Sequence, residues 1–180
     1  MDTVTWKLGT NKKYDHLFGQ LQEKQYNNTS IPLWKNYNLN HFESECSAVT
    51  IAFDDEVPIF CSSILGRDCW PIGAYRVINR LWKINPDNHP LRAIHAAVGP
   101  MIKSQLNWLK NNTDYKLVFI SRESSMWQNW TIKQLDIQFN LNFKYDDHKY
   151  LTCDDQTCNS CWQRIIFCGD SSLLESWKRQ

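Results

Sequence analysis

Four of the seven cysteines, Cys153, Cys158, Cys161 and Cys168, fall near the C-terminal end of the chain. Cys158-Asn159-Ser160-Cys161 is a C-x-x-C knuckle, Cys153 stands five residues before it, and Cys168 or His148 can complete a set of four ligands. Thiolates and an imidazole at such spacing are donors for a tetrahedral zinc site, which here would pin the tip of a closing hairpin. Cys153 and Cys161 can also face each other across that hairpin as a disulfide. In a reducing compartment the thiol is the default state. Cys46, Cys61 and Cys69 read as small core residues.

Two further groups can take a proton. Glu123 lies just past a β-branched run, and strand ends face the ligand crevice in open α/β sheets. Its plainer role is a carboxylate at a helix start in Ser121-Arg122-Glu123-Ser124, favoured by the helix dipole. His95 titrates near neutrality when unperturbed, and its plainer role is a loop or cap residue. Arg76 and Arg80 share one face of a strand pattern. They can hold an anionic ligand or form an ordinary polar face paired with acids on a neighbouring hairpin.

These residues need elements to position them. A chain of 180 residues is one domain by length, and a fold of this size hides roughly 70% of its unfolded surface. With 20 Lys+Arg against 19 Asp+Glu, the net charge is +1. No basic field supports bulk nucleic-acid or membrane binding. Hydrophobic residues at 42% exclude disorder, and the nine Trp need buried homes or ligands to stack on. No signal-peptide pattern and no long apolar run occurs, so the expectation is a cytoplasmic protein without a membrane span.

Residues 10–26 carry Tyr14, Leu17, Phe18 and Leu21 at helical spacing. Residues 27–46 read as a connecting arm. Residues 48–53 and 57–65 form a hairpin around the polar turn Asp54-Asp55-Glu56. Residues 66–73 break the pattern, and 74–84 predict a third long strand. A helix follows, ending near Lys110. Either Gly99-Pro100 opens it, or it starts near Arg92 and Pro100 bends it. Residues 116–120 predict a strand buried on both faces. Residues 124–137 fit a helix, 139–152 and 161–168 two closing strands, and 171–180 a short terminal helix. The divisions expected are 1–41 (helix and arm), 42–170 (α/β domain) and 171–180 (tail). The crossover helix makes strands 74–84 and 116–120 parallel, so the fold class is α/β, a mixed, mostly antiparallel sheet flanked by helices.

Over residues 42–168 this element order resembles the GNAT acyl-CoA N-acyltransferase superfamily. In that family the third strand leads into a Gln/Arg-x-x-Gly-x-Gly/Ala turn, whose backbone N–H groups and helix N-terminus hold the cofactor's pyrophosphate. Arg92-Ala93-Ile94-His95-Ala96-Ala97 keeps the Arg and the final Ala, with His at the first Gly position. Ala96-Ala97-Val98-Gly99-Pro100-Met101 keeps one Gly. The family's Tyr-x-x-x-Gly-Phe stretch corresponds to 138–143, which retains Phe143 and lacks the Tyr and the Gly. The resemblance implies acetyl-CoA as cofactor, held by Arg92, Ala96, Ala97 and Gly99 with Arg76 and Arg80 nearby. It also implies transfer to a small-molecule or protein amine, with Glu123 or His95 removing the proton and Ser121 beside the cleft. The alternative is a GNAT-shaped binding or structural module without catalysis. The low-Gly, Asn-rich, Trp-rich style, similar to orphan reading frames of tailed phages, suits that alternative.

Overall fold

A tight turn organises the first hairpin. Asp54 pairs with Val57, and the two loop residues Asp55 and Glu56 take positive φ of 43° and 67°. Positive φ at both positions is the geometry whose twist matches that of the flanking strands. The structure, a computed structural model, describes residues 1–28, 46–77, 82–83, 91–121, 133, 140–153, 157 and 161–178, with 21–28, 46, 82–83, 91–95 and 121 described by backbone alone.

The elements in chain order are β1 (Asp2–Trp6), α1 (Lys12–Asn28), β2 (Cys46–Asp54), β3 (Val57–Leu65), β4 (Ala74–Val77), β5 (Trp82–Lys83), α2 (Leu91–Asn112), β6 (Leu117–Ser121), β7 (Lys144–Leu151), β8 (Trp162–Gly169) and α3 (Ser172–Glu175). The strands make one mixed sheet in the order β1-β2-β3-β4-β6-β8-β7, with β5 paired to β3. Only β4 and β6 pair in parallel; every other described ladder is antiparallel.

Strand alternation sends side chains into two layers. On one face Ala48, Ile64, Val77, Val118, Ile120 and Ile166 meet Val98, Ile102 and Leu109 of α2. These helix residues recur at spacings of four and seven, as an amphipathic stripe requires. On the other face Phe119 lies 4.9 Å from Trp70 and 5.0 Å from Trp177, ring centre to ring centre, beneath α3. Trp6 and Phe18 seal α1 against Val49, Ile51 and Cys61. Leu117, Val118, Phe119 and Ile120 have no exposed surface, as expected of a central strand covered on both sides.

Several expectations change. Residues 2–6, to which sequence patterning assigned no element, form edge strand β1 along β2, and α1 packs on the same sheet. The N-terminal part therefore shares the core of the rest. Of the third strand, Ala74–Val77 and Trp82–Lys83 are strand, and residues 78–81 and 84 lie outside the described residues. The first closing strand starts only at Lys144, because Asn140 and Asn142 take positive φ of 51° and 52°, which extended chain cannot contain. Of the expected helix 124–137, only Lys133 is among the described residues. The terminal helix is a single turn.

Candidate functional site

Among the described residues, the pairing of β4 with β6 ends at Arg76 and Phe119. Three register pairs join them, Ala74 to Leu117, Tyr75 to Val118 and Arg76 to Phe119. β6 then runs on through Ile120 and Ser121, which stay paired to Ile166 and Ile165 of β8. Ile64 pairs with Val77, whereas Cys61 pairs with Trp82 and Phe60 with Lys83, so the register shifts by two residues between these ladders. Among the described residues, the upper end of β6 thus has a strand on one side only. A crevice at the C-terminal ends of adjacent parallel strands is the usual ligand position in an open α/β sheet.

α2 stands over this opening. It is the crossover between β4 and β6, so its N-terminus lies at their C-terminal end. Its other end bears this out, because Trp108, Asn112 and Thr113 share a groove with Tyr75 at the start of β4. The helix begins at Leu91 and passes through Pro100, so of the two registers read from sequence the earlier one holds. The consequence is a correction to the backbone donors. The N–H groups of Ala96, Ala97 and Gly99 lie in the second and third turns, where helix geometry directs them at carbonyls four residues back. The helical N–H groups without an intrahelical acceptor are those of Leu91, Arg92 and Ala93, and they carry the positive end of the helix dipole. Ala97 instead packs against Ala52, Ile59 and Phe60, and Ala96 is exposed.

Arg76 alternates with Tyr75 and Val77, which face α2. Its guanidinium therefore lies on the opposite face of the sheet and does not join the helix N-terminus. The backbone of Arg92, His95 and Ser121 is in place at the opening, in the first two turns of α2 and at the end of β6. Their side chains, together with Glu123 and Arg80, lie outside the described residues.

The four-cysteine set does not converge. Cys161 and Cys168 stand at opposite ends of β8, seven residues apart, which at about 3.3 Å per residue separates them by roughly 23 Å. Cys168 packs instead in the core beneath α2, where burial pushes its thiol up to about 12. Cys153 and Cys161 flank the mouth of the closing hairpin, where the N–H and hydroxyl of Thr152 donate to the Cys161 carbonyl at 3.0 and 2.9 Å. A thiol contact there comes from Cys69, whose Sγ donates to the Cys153 carbonyl at 3.4 Å. Cys158 lies outside the described residues, and among those described no three metal-binding side chains come together.

His148, an alternative zinc ligand by sequence, belongs to a different constellation. Its ring Nδ1 and its backbone N–H both meet Asp146 Oδ1 at 2.8 Å, and the Tyr150 hydroxyl donates to Asp146 Oδ2 at 3.0 Å. Burial alone would raise the Asp146 carboxyl, but the donors from His148 and Tyr150 outweigh it and hold the group below its ordinary value. Burial and the adjacent carboxylate push the Tyr150 phenol up. Asp146 pairs with Ile165, which also pairs with Ser121, so this cluster stands at the height of the opening, two strands away. Its signal in the sequence was Asp146-x-His148-x-Tyr150, alternate positions on one strand.

No family model matches the sequence, and no curated protein matches it. Solved structures match its shape. The aminoglycoside N-acetyltransferase AAC(6')-Ib11 superposes with a TM-score of 0.59 at 11% identity, over 97% of this chain and 99% of that one. AAC(6')-Ib in complex with coenzyme A gives 0.58 at 10% identity, over 97% and 98%. An acyl-CoA N-acyltransferase from Pseudomonas aeruginosa gives 0.53 at 9% identity, over 92% and 97%. The fold is that of the GNAT acyl-CoA N-acyltransferases, as the element order suggested. Among the described residues no helix is long and apolar enough to cross a membrane.

Proposed function

We propose that the protein is an acyl-CoA-dependent N-acyltransferase that transfers an acyl group, acetyl in the simplest case, to an amine. The observation that carries this reading is the placement of the N-terminus of α2, the crossover helix, at the C-terminal end of the parallel pair β4 and β6. The N–H groups of Leu91, Arg92 and Ala93 offer donors to the acyl-CoA diphosphate, with Arg92 in the same turn. A bound acyl-CoA supplies the activated carbonyl. The chain's own residues then orient the amine and remove its proton. In this reading Glu123 or His95 accepts the proton and Ser121 stands beside the reacting carbonyl. The amine approaches from the face opposite α2, where Arg76 lies, so Arg76 contacts the acceptor and the phosphates stay with α2. The solved neighbours bound to coenzyme A, one of them also to ribostamycin, support the general class.

Calorimetric titration with acetyl-CoA tests the proposal, alongside a thermal-shift series. Ligand at about a hundred times Kd stabilises by about 2.7 kcal/mol, a rise in Tm of several degrees. Folded protein that gives neither heat nor shift at millimolar acetyl-CoA would overturn it.

One observation favours a second reading, a GNAT-shaped binding or structural module without catalysis. The first turn of α2, Leu91-Arg92-Ala93-Ile94, contains no glycine, and side chains there hold a diphosphate away from the amides. Binding of acetyl-CoA without release of free thiol across a panel of amines would favour that module.

A further inference from the structure

On β7 a carboxylate holds one imidazole in place. Asp146 Oδ1 takes both the backbone N–H and the ring Nδ1 of His148 at 2.8 Å, and Oδ2 accepts the Tyr150 hydroxyl at 3.0 Å. Tyr150 is fixed in turn, fully buried with its ring centre 4.9 Å from that of Trp177. The Asp146 carboxyl, held below its ordinary value, is ionised at neutral pH and can only accept hydrogen bonds. In the neutral imidazole Nδ1 therefore carries the hydrogen, and Nε2, on the far edge of the ring, keeps its lone pair. The His148 side chain is 59% exposed. The charged groups around the cluster are Asp147 and Lys149 beside His148 in the strand, Glu175 near the Tyr150 phenol, Lys178, which pairs with Glu175 at 2.6 Å and senses the Asp146 charge, and Arg164 of β8, whose Nε donates to the Asp147 carbonyl at 3.3 Å. Ile165 pairs with Asp146 on one side and with Ser121 on the other, so two strand spacings separate the cluster from the C-terminal end of β6, roughly 10 Å. Asp146 shares its face of the sheet with Ile165, Phe119 and Trp177, the face opposite α2 on which Arg76 also lies.

We infer that His148 is a proton acceptor for the acyl acceptor, with Asp146 and Tyr150 as its positioning residues, and that the acceptor is an alkylamine arriving as its ammonium. The inference rests on the acyltransferase reading and deepens it. Acylation of an alkylammonium releases two N–H protons. The first must leave before attack, to free the lone pair that forms the C–N bond. The second leaves after that bond has formed, to Glu123 or His95 at the reacting carbonyl, and passes to the thiolate released as the C–S bond breaks. The first proton goes to His148 Nε2, directly or through one water. The Asp146 carboxylate stabilises the resulting imidazolium, and the exposed ring returns the proton to solvent. Imidazole is the side chain suited to such exchange in the neutral range. An arylamine is already neutral there and needs no first step.

Two measurements on the full chain test this. Nitrogen NMR of the histidine rings, with the His148 signals assigned by their loss in His148→Gln, should show a protonated Nδ1 and an unprotonated Nε2 in the neutral ring; the opposite tautomer overturns the inference. Acyl transfer from acetyl-CoA is then compared for a primary alkylamine and an arylamine. His148→Gln should lower kcat/KM for the alkylamine on the order of a hundredfold, with a much smaller change for the arylamine. The deficit should shrink as rising pH deprotonates the alkylamine in solution. Asp146→Asn should show the same preference to a smaller extent, and the acetyl-CoA affinity of each variant reports that it is folded. Equal losses for the two amines, a deficit independent of pH, or a parent protein that acylates the arylamine alone overturns the role of His148 and leaves the acyltransferase reading standing. A parent protein that acylates neither amine overturns both.

Discussion

Gly169→Ala is expected to cost the protein much of its stability. Gly169 sits at φ 111° at the end of β8, directly opposite Leu117. An added Cβ would lie 2.3 Å from the Lys116 carbonyl oxygen, 3.0 Å from Leu117 Cα and 3.1 Å from the Lys116 carbonyl carbon. All three are backbone atoms, so no side chain can swing away. The Lys116 oxygen also accepts the Asp170 N–H at 2.8 Å, and retreat of that carbonyl breaks the bond. Backbone strain of about 1–3 kcal/mol at positive φ and about 1 kcal/mol for the lost hydrogen bond together give about 2–4 kcal/mol. For a domain of this size that corresponds to a fall in Tm of roughly 10 °C. Gly19→Ala is the internal control. Gly19 lies within α1 with nothing within 4 Å of the added carbon, so alanine there should stabilise by about 0.5–1 kcal/mol. Differential scanning calorimetry of both variants reads the contrast. A Gly169→Ala protein melting within about 2 °C of the parent, well short of the expected loss, would refute the register assigned to β6 and β8.

Three further outcomes are expected. Replacing Asp55-Glu56 by Asn-Gly relieves two non-glycine residues at positive φ and should stabilise by about 1 kcal/mol, read as a Tm increase of a few degrees; a fall in Tm would exclude the assigned turn. Cys168, with its thiol raised to about 12 by burial, should remain unalkylated by iodoacetamide at neutral to mildly alkaline pH until the chain is denatured, as peptide mapping would show. Asp146 is depressed in the folded state, so its contribution to stability is fully present above the ordinary aspartate value of about 3.9 and is lost as pH falls through the lower folded value. The stability gap between the parent and Asp146→Asn should therefore hold constant near neutrality and close in acid, and a gap independent of pH would remove the charge from the explanation.

Much of the architecture follows from local pattern. The period-two runs 48–53 and 57–65, separated by three acidic residues, can bury both faces of a sheet only as a hairpin. The continuous apolar run 117–120 has no exposed side and belongs at the sheet centre. The helical stripe ending near Lys110 forces a crossover, and with it the one parallel pair. From those three facts the acyltransferase-like order of elements could be read with no cofactor motif intact.

The placement of chemistry was decided by tertiary structure. Whether α2 begins at Leu91 or at Gly99 depends on burial of Ala97 and Met101 against β2 and β3, a packing gain that outweighs the helix penalty of Pro100. Arg76 faces away from α2 because the neighbours of Tyr75 and Val77 fix the pleat of β4. Cys168 is remote from Cys161 because the chain between them is extended, which spacing in a sequence does not reveal. Asp2–Trp6, too short and polar to announce a strand, becomes one because β2 offers it an open edge and α2 covers it. Periodicity is a property of neighbouring residues and survives in one dimension; which oxygen, amide or thiol faces which crevice depends on contacts between segments dozens of residues apart, and exists only once the sheet has closed.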